Sequence, residues 1–227
     1  MTVSRVLVVL LISMAFGCGS NSKDNEVATN GKQVGTKSSD EFELLAFDKE
    51  NLKDKFAFSG IIINGSRWKD KNGDNYIILT QVEKERTVED FYLKSITLFA
   101  YHFADYNSGA YREVRKIQDF TKDCQFNNIA AFLPATLSVT DLDKDNFAEV
   151  TFVYKLGCKS ERSPDEMKLI MMENGEKYAI RGETIVLIGD TKYGGKKEID
   201  KSFNNAPQSF LNFAAELWDR NSEDLQE

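Results

Sequence analysis

The stretch that decides the fold is MKLIMMENGEKYAIRG, residues Met167 to Gly182, because it holds two apolar runs separated by a turn signal. That signal is Asn174–Gly175. An Asn-Gly pair between two short apolar runs favours a tight β-hairpin, since both residues tolerate the positive φ angles that such turns need. The stretch therefore predicts two adjacent antiparallel strands.

Further strand signals occupy most of the chain around this hairpin. Alternating or short apolar runs, rich in β-branched and aromatic residues, occur in FAFSGIIING, YIILTQV, LKSITLFAYHF, REVRKIQDF, LSVTDLD, AEVTFVYKL and TIVLIGD. The C-terminal segment differs, because apolar residues recur there at helical spacing after Pro207. These residues are Phe210, Phe213, Ala214, Leu217 and Trp218. We predict an α+β fold: a mainly antiparallel β-sheet with hairpins, covered by a C-terminal helix.

The N-terminus predicts export. Arg5 precedes the unbroken apolar run Val6 to Ile12, which is too short for a stable membrane anchor and is typical of a signal peptide. Ala15 and Gly17 before Cys18 resemble the lipobox of bacterial lipoproteins, although Phe16 stands where that motif has a small residue. The resemblance implies that residues 1–17 are removed and Cys18 is lipidated. The alternative is an ordinary secretory peptide that is cleaved nearby.

Composition divides the rest of the chain. Residues 18–44 are nearly free of large apolar side chains, so they predict a flexible tether. Residues 45–221 predict one β-rich domain, and residues 222–227 a disordered tail. The net charge of −7 is spread along the chain, which argues against a nucleic-acid partner. We expect an outer-membrane-anchored lipoprotein of the bacterial envelope, with membrane contact through its N-terminal lipid.

The cysteine count supports this interpretation. An exported protein with three cysteines has one too many for paired disulfides. If Cys18 carries lipid, Cys124 and Cys158 remain as a pair. A zinc site is the competing hypothesis, but two cysteines and one distant histidine make a poor ligand set. The sequence favours a disulfide.

The segment VTDLDKDNFAEV places acidic residues at alternate positions between two predicted strands. Asp141, Asp143, Asp145 and Glu149 could turn their carboxylates toward one point, with the main-chain carbonyl of Phe147 as a further ligand. Oxygen ligands of this kind suit Ca²⁺. The alternative is a polar turn that merely keeps a hairpin soluble.

The segment that begins at Asp141 departs from the EF-hand, because its twelfth position holds Phe152 instead of Glu and predicted strands flank it. It resembles the strand–loop–strand calcium turns of FG-GAP or VCBS-type repeats, which usually carry Gly where this chain has Asn146. Asn enters the left-handed region more readily than most residues. Asp70, Asn72 and Asp74 form a weaker echo of the pattern, for which we favour a simple turn.

Signals for catalysis are weak. His102 is the only histidine, and no nucleophile motif accompanies it, so a structural histidine is the better interpretation. A pair of catalytic carboxylates cannot be recognised from sequence, because their separation is not visible there. The sequence favours a non-catalytic protein.

Five segments together resemble a family of uncharacterised Bacteroidetes envelope lipoproteins, loosely labelled as surface-polysaccharide biosynthesis proteins. They are Trp68 to Asn75, Asp119 to Cys124, VTDLDKDNFAEV, Tyr154 to Met171 and KYAIRG, within residues 56–218. The resemblance implies an envelope location and a link to surface polysaccharide. We expect a binding or assembly domain with a glycan or envelope-protein partner. The alternative is an accessory enzyme that acts on surface glycan through carboxylates.

Overall fold

The predicted hairpin lies at the centre of a six-stranded antiparallel sheet, in a computed structural model that describes residues 42–223. Its turn has positive φ angles at Asn174 and Gly175, as the Asn-Gly signal requires. We call this the second sheet, because its strands follow those of the other large sheet along the chain. Its strands are β6 (Asn127–Phe132), β7 (Ser138–Thr140), β8 (Glu149–Lys159), β9 (Glu166–Glu173), β10 (Glu176–Glu183) and β13 (Lys197–Ile199). Their order is β13-β10-β9-β8-β6, and β7 pairs with β8.

The first sheet is a five-stranded antiparallel meander in the order β1-β2-β3-β4-β5. Its strands are β1 (Glu43–Leu45), β2 (Ile61–Asp70), β3 (Gly73–Val88), β4 (Phe91–Ala104) and β5 (Arg112–Cys124). A separate hairpin contains β11 (Ile185–Ile188) and β12 (Thr191–Gly194). The helices are α1 (Leu52–Lys55) and α2 (Gln208–Asn221), with 3₁₀ turns at Pro134–Thr136 and Lys201–Asn205. The predicted α+β class is confirmed.

The two large sheets pack face to face around the main core. Trp68, Ile77 and Leu98 from the first sheet contact the cluster that contains Phe152 and Ile170 from the second. Alternation along each strand explains the arrangement, since every second side chain points to the same face.

Each sheet also has an outer face that is covered. Helix α2 buries Phe210, Leu217 and Trp218 against the second sheet, so the predicted apolar stripe performs the predicted covering role. On the first sheet, Leu52 and Phe56 cover Tyr76 and its neighbours. Strands with two covered faces have few polar positions, which explains the almost continuous apolar run of β9.

The ends of the domain extend slightly beyond the predicted limits. Strand β1 begins at Glu43, inside the predicted tether, because it pairs with β2. At the other end, the main-chain carbonyl of Ser222 accepts a 2.7 Å hydrogen bond from the N–H of Ile185. The predicted signal peptide, Cys18 and most of the tether lie outside the described residues. Within residues 42–223, neither helix is long and apolar enough to cross a membrane.

The predicted disulfide is present between Cys124 and Cys158, whose Cα atoms are 5.7 Å apart. Cys124 ends β5 in the first sheet, and Cys158 lies in β8 of the second. The bond therefore joins the two sheets covalently and closes a loop of 34 residues.

Removal of this bond should destabilise the domain. We expect the double variant Cys124→Ser/Cys158→Ser to lose about 2–4 kcal/mol of unfolding free energy, because its unfolded chain gains loop entropy. Urea unfolding measures the loss, and reduction of the unaltered protein should match it. A double variant as stable as the parent would contradict a stabilising role.

Candidate cation-binding site

The aspartate loop, residues 141–148, connects β7 to β8 at one end of the second sheet. Its backbone bends sharply because Lys144 and Asn146 adopt φ angles of 63° and 67°. The left-handed region is accessible to Asn at modest cost. Asn146 thus takes the conformation that the similar calcium turns usually assign to Gly.

Hydrogen bonds within the loop orient two of the aspartates. The N–H of Asp145 donates to Oδ1 of Asp143 at 3.3 Å, and the N–H of Phe147 donates to Oδ1 of Asp145 at 2.8 Å. Each bond is a local Asx turn that holds the side chain beside its own backbone. The Phe147 ring lies under the Lys71 ammonium, 4.7 Å from its centroid. The role of the Phe147 carbonyl as a ligand stays a prediction.

Glu149 is the first residue of β8 and is fully buried. Its Oε2 atom accepts hydrogen bonds from Thr140 Oγ1 at 2.9 Å and from the N–H of Leu142 at 3.0 Å. Burial raises the pKa of Glu149 to about 7, against the opposing effect of these hydrogen bonds. The carboxyl group is therefore at the border between its neutral and charged forms at physiological pH.

The carboxylates form two overlapping groups. Asp141, Asp143 and Glu149 each offer an oxygen within 4.8 Å of the others, and Asp143, Asp145 and Glu173 do the same. Asp143 belongs to both groups. All four predicted acidic residues are thus brought together, and a fifth carboxylate joins them. Such a set could hold a metal ion.

Sequence reasoning missed Glu173, the last residue of β9. It approaches the loop because β8 and β9 are antiparallel neighbours, with Val150 opposite Met172. One residue beyond that pair, Glu149 begins β8 and Glu173 ends β9, so both lie at the same end of the sheet. The Asn174–Gly175 turn located the end of β9, but only the pairing of β9 with β8 assigns Glu173 to the loop.

Glu173 experiences the accumulated negative charge most strongly. Burial, followed by repulsion from Asp143 and Asp145, raises the pKa of Glu173 to about 8. Its Oε1 atom and Oδ1 of Asp141 are shielded from solvent and find no hydrogen-bond partner among residues 42–223. Buried oxygens without a donor are costly, and a cation among them would satisfy them directly.

The turn between β2 and β3 supports the loop from outside. Oδ2 of Asp70 accepts a 3.1 Å hydrogen bond from the N–H of Ala148, and the N–H of Lys71 donates to the carbonyl of Asn146 at 2.8 Å. Asn72 Nδ2 donates to Oδ1 of Asn174 at 3.1 Å. The second, weaker acidic pattern, Asp70 to Asp74, is therefore a turn, as favoured from the sequence. It fixes the aspartate loop to the first sheet and to the β9–β10 hairpin.

Two members of that weaker pattern are engaged in other bonds. Asp70 also accepts a hydrogen bond from Trp68 Nε1 at 2.9 Å, and Asp74 pairs with Arg67 at 2.7 Å. Neither carboxylate belongs to the two groups of described acidic residues that could hold a metal ion. Asp70 therefore acts as an anchor for the loop, while Asp74 stabilises its own hairpin.

His102 has a structural environment. Its ring stacks on Trp68 with centroids 5.3 Å apart, and Nε2 lies 3.1 Å from Oδ1 of Asn75. Burial, assisted by the charge of Arg115, lowers the pKa of His102 to about 4. The neutral ring is packed in the core, in agreement with the structural interpretation.

The chain matches no protein-family model, no curated protein and no solved structure.

The raised pKa values predict an unusual pH profile for the metal-free protein. Unfolded glutamates titrate near 4.3, whereas Glu149 and Glu173 titrate near 7 and 8 when folded. Between these values the unfolded chain ionises first, so stability should fall as pH rises from about 5 to 8. Thermal unfolding in chelator at several pH values measures this fall.

The variant Glu173→Gln provides the control, because it removes one of the two titrating groups while keeping its shape. Its stability should decline less steeply than that of the parent over the same pH range. Parallel curves for the two proteins would show that Glu173 titrates normally in the folded state.

Proposed function

We propose that this chain is an exported, lipid-anchored protein of the bacterial cell envelope whose β-rich domain serves as a non-catalytic binding or assembly module. We further propose that the domain binds Ca²⁺ at Asp141, Asp143, Asp145, Glu149 and Glu173. The observation that carries the cation proposal is the convergence of five carboxylates at one end of the second sheet. Like charges this close repel each other unless protonation or a cation neutralises them, and a cation can do so without a proton on Glu149 or Glu173.

Calcium suits the ligand set better than other common ions. The available ligands are all oxygens, which hard cations prefer, and the cluster contains neither cysteine nor histidine. Ca²⁺ accepts irregular geometry and many carboxylates, whereas Mg²⁺ demands a near-ideal octahedron and retains water. The central position of Asp143 in both groups lets one ion draw ligands from the loop and from β9.

The cation would have a mechanical role. Glu173 immediately precedes the β9–β10 turn, so a shared ion would connect that turn to the loop before β8. Burial is the main cause of the raised pKa of Glu173, and neutralisation of the cluster would remove the repulsion that adds to it. We expect the ion to make this end of the sheet rigid.

The enzymatic alternative has less support. Glycosidases place their carboxylates about 5–10 Å apart, with the substrate or a water between them. Here the oxygens within each group of three lie within 4.8 Å of one another, and Glu149 is fully buried. This geometry favours cation binding.

Calcium should stabilise the protein by mass action, by about 2.7 kcal/mol at a hundredfold excess over Kd. For a domain of this size the melting temperature should rise by about 5–10 °C. Asp143→Ala should abolish the shift, because Asp143 is the ligand common to both groups. In chelator, the same variant should be at least as stable as the parent, since it relieves repulsion.

Differential scanning calorimetry with calcium, magnesium and chelator tests this proposal. The matched control is Asp190→Ala. Asp190 lies in the exposed turn between β11 and β12 and belongs to neither carboxylate group, so this variant should keep the full calcium shift. If Asp143→Ala loses equal stability with and without calcium, the loop is only a turn.

The anchoring proposal has a separate test. Cys18→Ser should release the protein from the membrane fraction or leave its signal peptide uncleaved, because the lipid acceptor is gone. Fractionation followed by mass spectrometry of the N-terminus measures both effects. An unmodified N-terminus at a different residue in the parent protein would instead indicate an ordinary secretory peptide.

A further inference from the structure

A second feature, the basic cleft, lies where β5 of the first sheet meets the face of β8, β9 and β10. Its volume is about 340 Å³, close to the lower end of small-molecule sites. Five basic residues and one acidic residue line it: Arg115, Lys116, Lys168, Lys177, Arg181 and Asp119. The Lys116 ammonium lies over the rings of Phe99 and Tyr101, so the other four basic residues supply the positive charge of the cleft. They outnumber its one acidic residue, although the net charge of the protein is −7.

The strand register explains why these side chains share one cleft. Tyr154, Lys168 and Arg181 are direct neighbours across β8, β9 and β10, so they project from the same face. Arg115 and Asp119 project toward them from β5, the edge strand of the first sheet. The inner face of β10 therefore extends past the edge of the first sheet and carries charges where the core would otherwise continue.

Only part of the positive charge is neutralised. Lys168 pairs with Asp119 at 2.6 Å and with Glu166 at 2.9 Å, and Arg181 pairs with Asp200 at 2.8 Å through Nη1. Arg115 donates to a neutral acceptor, the carbonyl of Gly175. No carboxylate within residues 42–223 forms an ion pair with Arg115 or Lys177.

Lys177 shows the consequence of this imbalance. Burial, together with repulsion from Arg181 and Arg115, lowers the pKa of Lys177. An anion in the cleft would lie against these three cations and would receive charge-assisted hydrogen bonds from them. Arginine presents several donors in a fixed plane, which matches the oxygens of a carboxylate or a phosphate.

The surroundings limit the ligand to a single anionic group. Two further depressions share Arg181 with the basic cleft. Besides Arg181, the charged residues that line them are four carboxylates and two lysines: Glu166, Glu183, Glu198, Asp200, Lys196 and Lys201. These carboxylates can accept hydrogen bonds from hydroxyl groups, and because they outnumber the two lysines, they disfavour a second anion. A polyanion would therefore fit poorly, whereas a hydroxyl-rich molecule with one acidic group matches both regions.

We propose that the basic cleft binds a saccharide that carries one carboxylate or phosphate group. The acidic group lies against Arg115, Lys177 and Arg181, and sugar hydroxyls face the neighbouring carboxylates. This inference rests on the proposed binding role of the domain and names the chemistry of its ligand. It uses none of the five residues of the cation cluster.

Isothermal titration of the full chain in neutral detergent, at fixed ionic strength, tests the proposal. The probes are galacturonate, galactose 6-phosphate, galactose and inorganic sulfate. We expect the two acidic sugars to bind, and galactose and sulfate each to bind at least about tenfold more weakly, since each lacks one half of the recognition.

Lys177→Gln should weaken the binding of both acidic sugars by about tenfold or more, because it removes a charged donor. Its melting temperature should stay unchanged or rise, since the substitution relieves repulsion. Lys122→Gln, on an exposed position of β5 outside the cleft, is the control and should bind as the parent does.

Several outcomes would overturn the inference: no binding of either acidic sugar, equal binding of galactose, equal binding of sulfate, or unchanged binding by Lys177→Gln. The titration is repeated with Asp143→Ala in chelator to separate the two proposals. Acidic-sugar binding that persists there supports the cleft even if the calcium site fails. A normal calcium shift without sugar binding rejects the cleft alone.

Discussion

Electrostatic repulsion within one cluster of carboxylates, from the buried Glu149 to the exposed Asp143 and Asp145, is the constraint around which this end of the structure is built. Antiparallel pairing of β8 with β9 is required to bury the core between the sheets, and the same pairing places Glu149 and Glu173 at one end of the sheet. The loop before β8 adds three aspartates at that end of the sheet. The hydrophobic core thus fixes the positions of charges that disfavour each other. A cation resolves this conflict without any change in the fold.

Several contacts hold the aspartate loop at that end of the sheet. Asp70 accepts the N–H of Ala148, and Asn72 reaches the turn at Asn174, so three separate parts of the chain meet at the cluster. A polar turn that only kept a hairpin soluble would not need these bonds, because solvent could satisfy its backbone groups. The disulfide between Cys124 and Cys158 adds a covalent connection between the same two sheets. Rigid support of this kind is what a site with precise ligand positions requires.

Much of the fold could be predicted from the sequence, since its signals are local. Asn174–Gly175 specified a hairpin, and the spacing from Phe210 to Trp218 specified a helix with one buried face. The division into two sheets was not predicted, because strand pairing is decided by tertiary contacts. Glu173 was missed for the same reason: its closeness to Asp143 depends on which strands are neighbours. The basic cleft is likewise invisible in sequence, as Arg115 and Lys177 lie on different sheets.

The two proposed sites meet at the β9–β10 turn, which gives them a physical connection. Glu173 precedes this turn and faces the cation cluster, while the carbonyl of Gly175 within it accepts hydrogen bonds from Arg115. A cation that neutralises Glu173 restrains the turn from one side. Because Arg115 donates to this turn through Nε and Nη2, the same restraint limits the movement of a guanidinium that lines the basic cleft. An ordered turn also lowers the entropy that ligand binding would have to overcome. Cation occupancy would then favour anion binding through a single two-residue turn, with no larger conformational change.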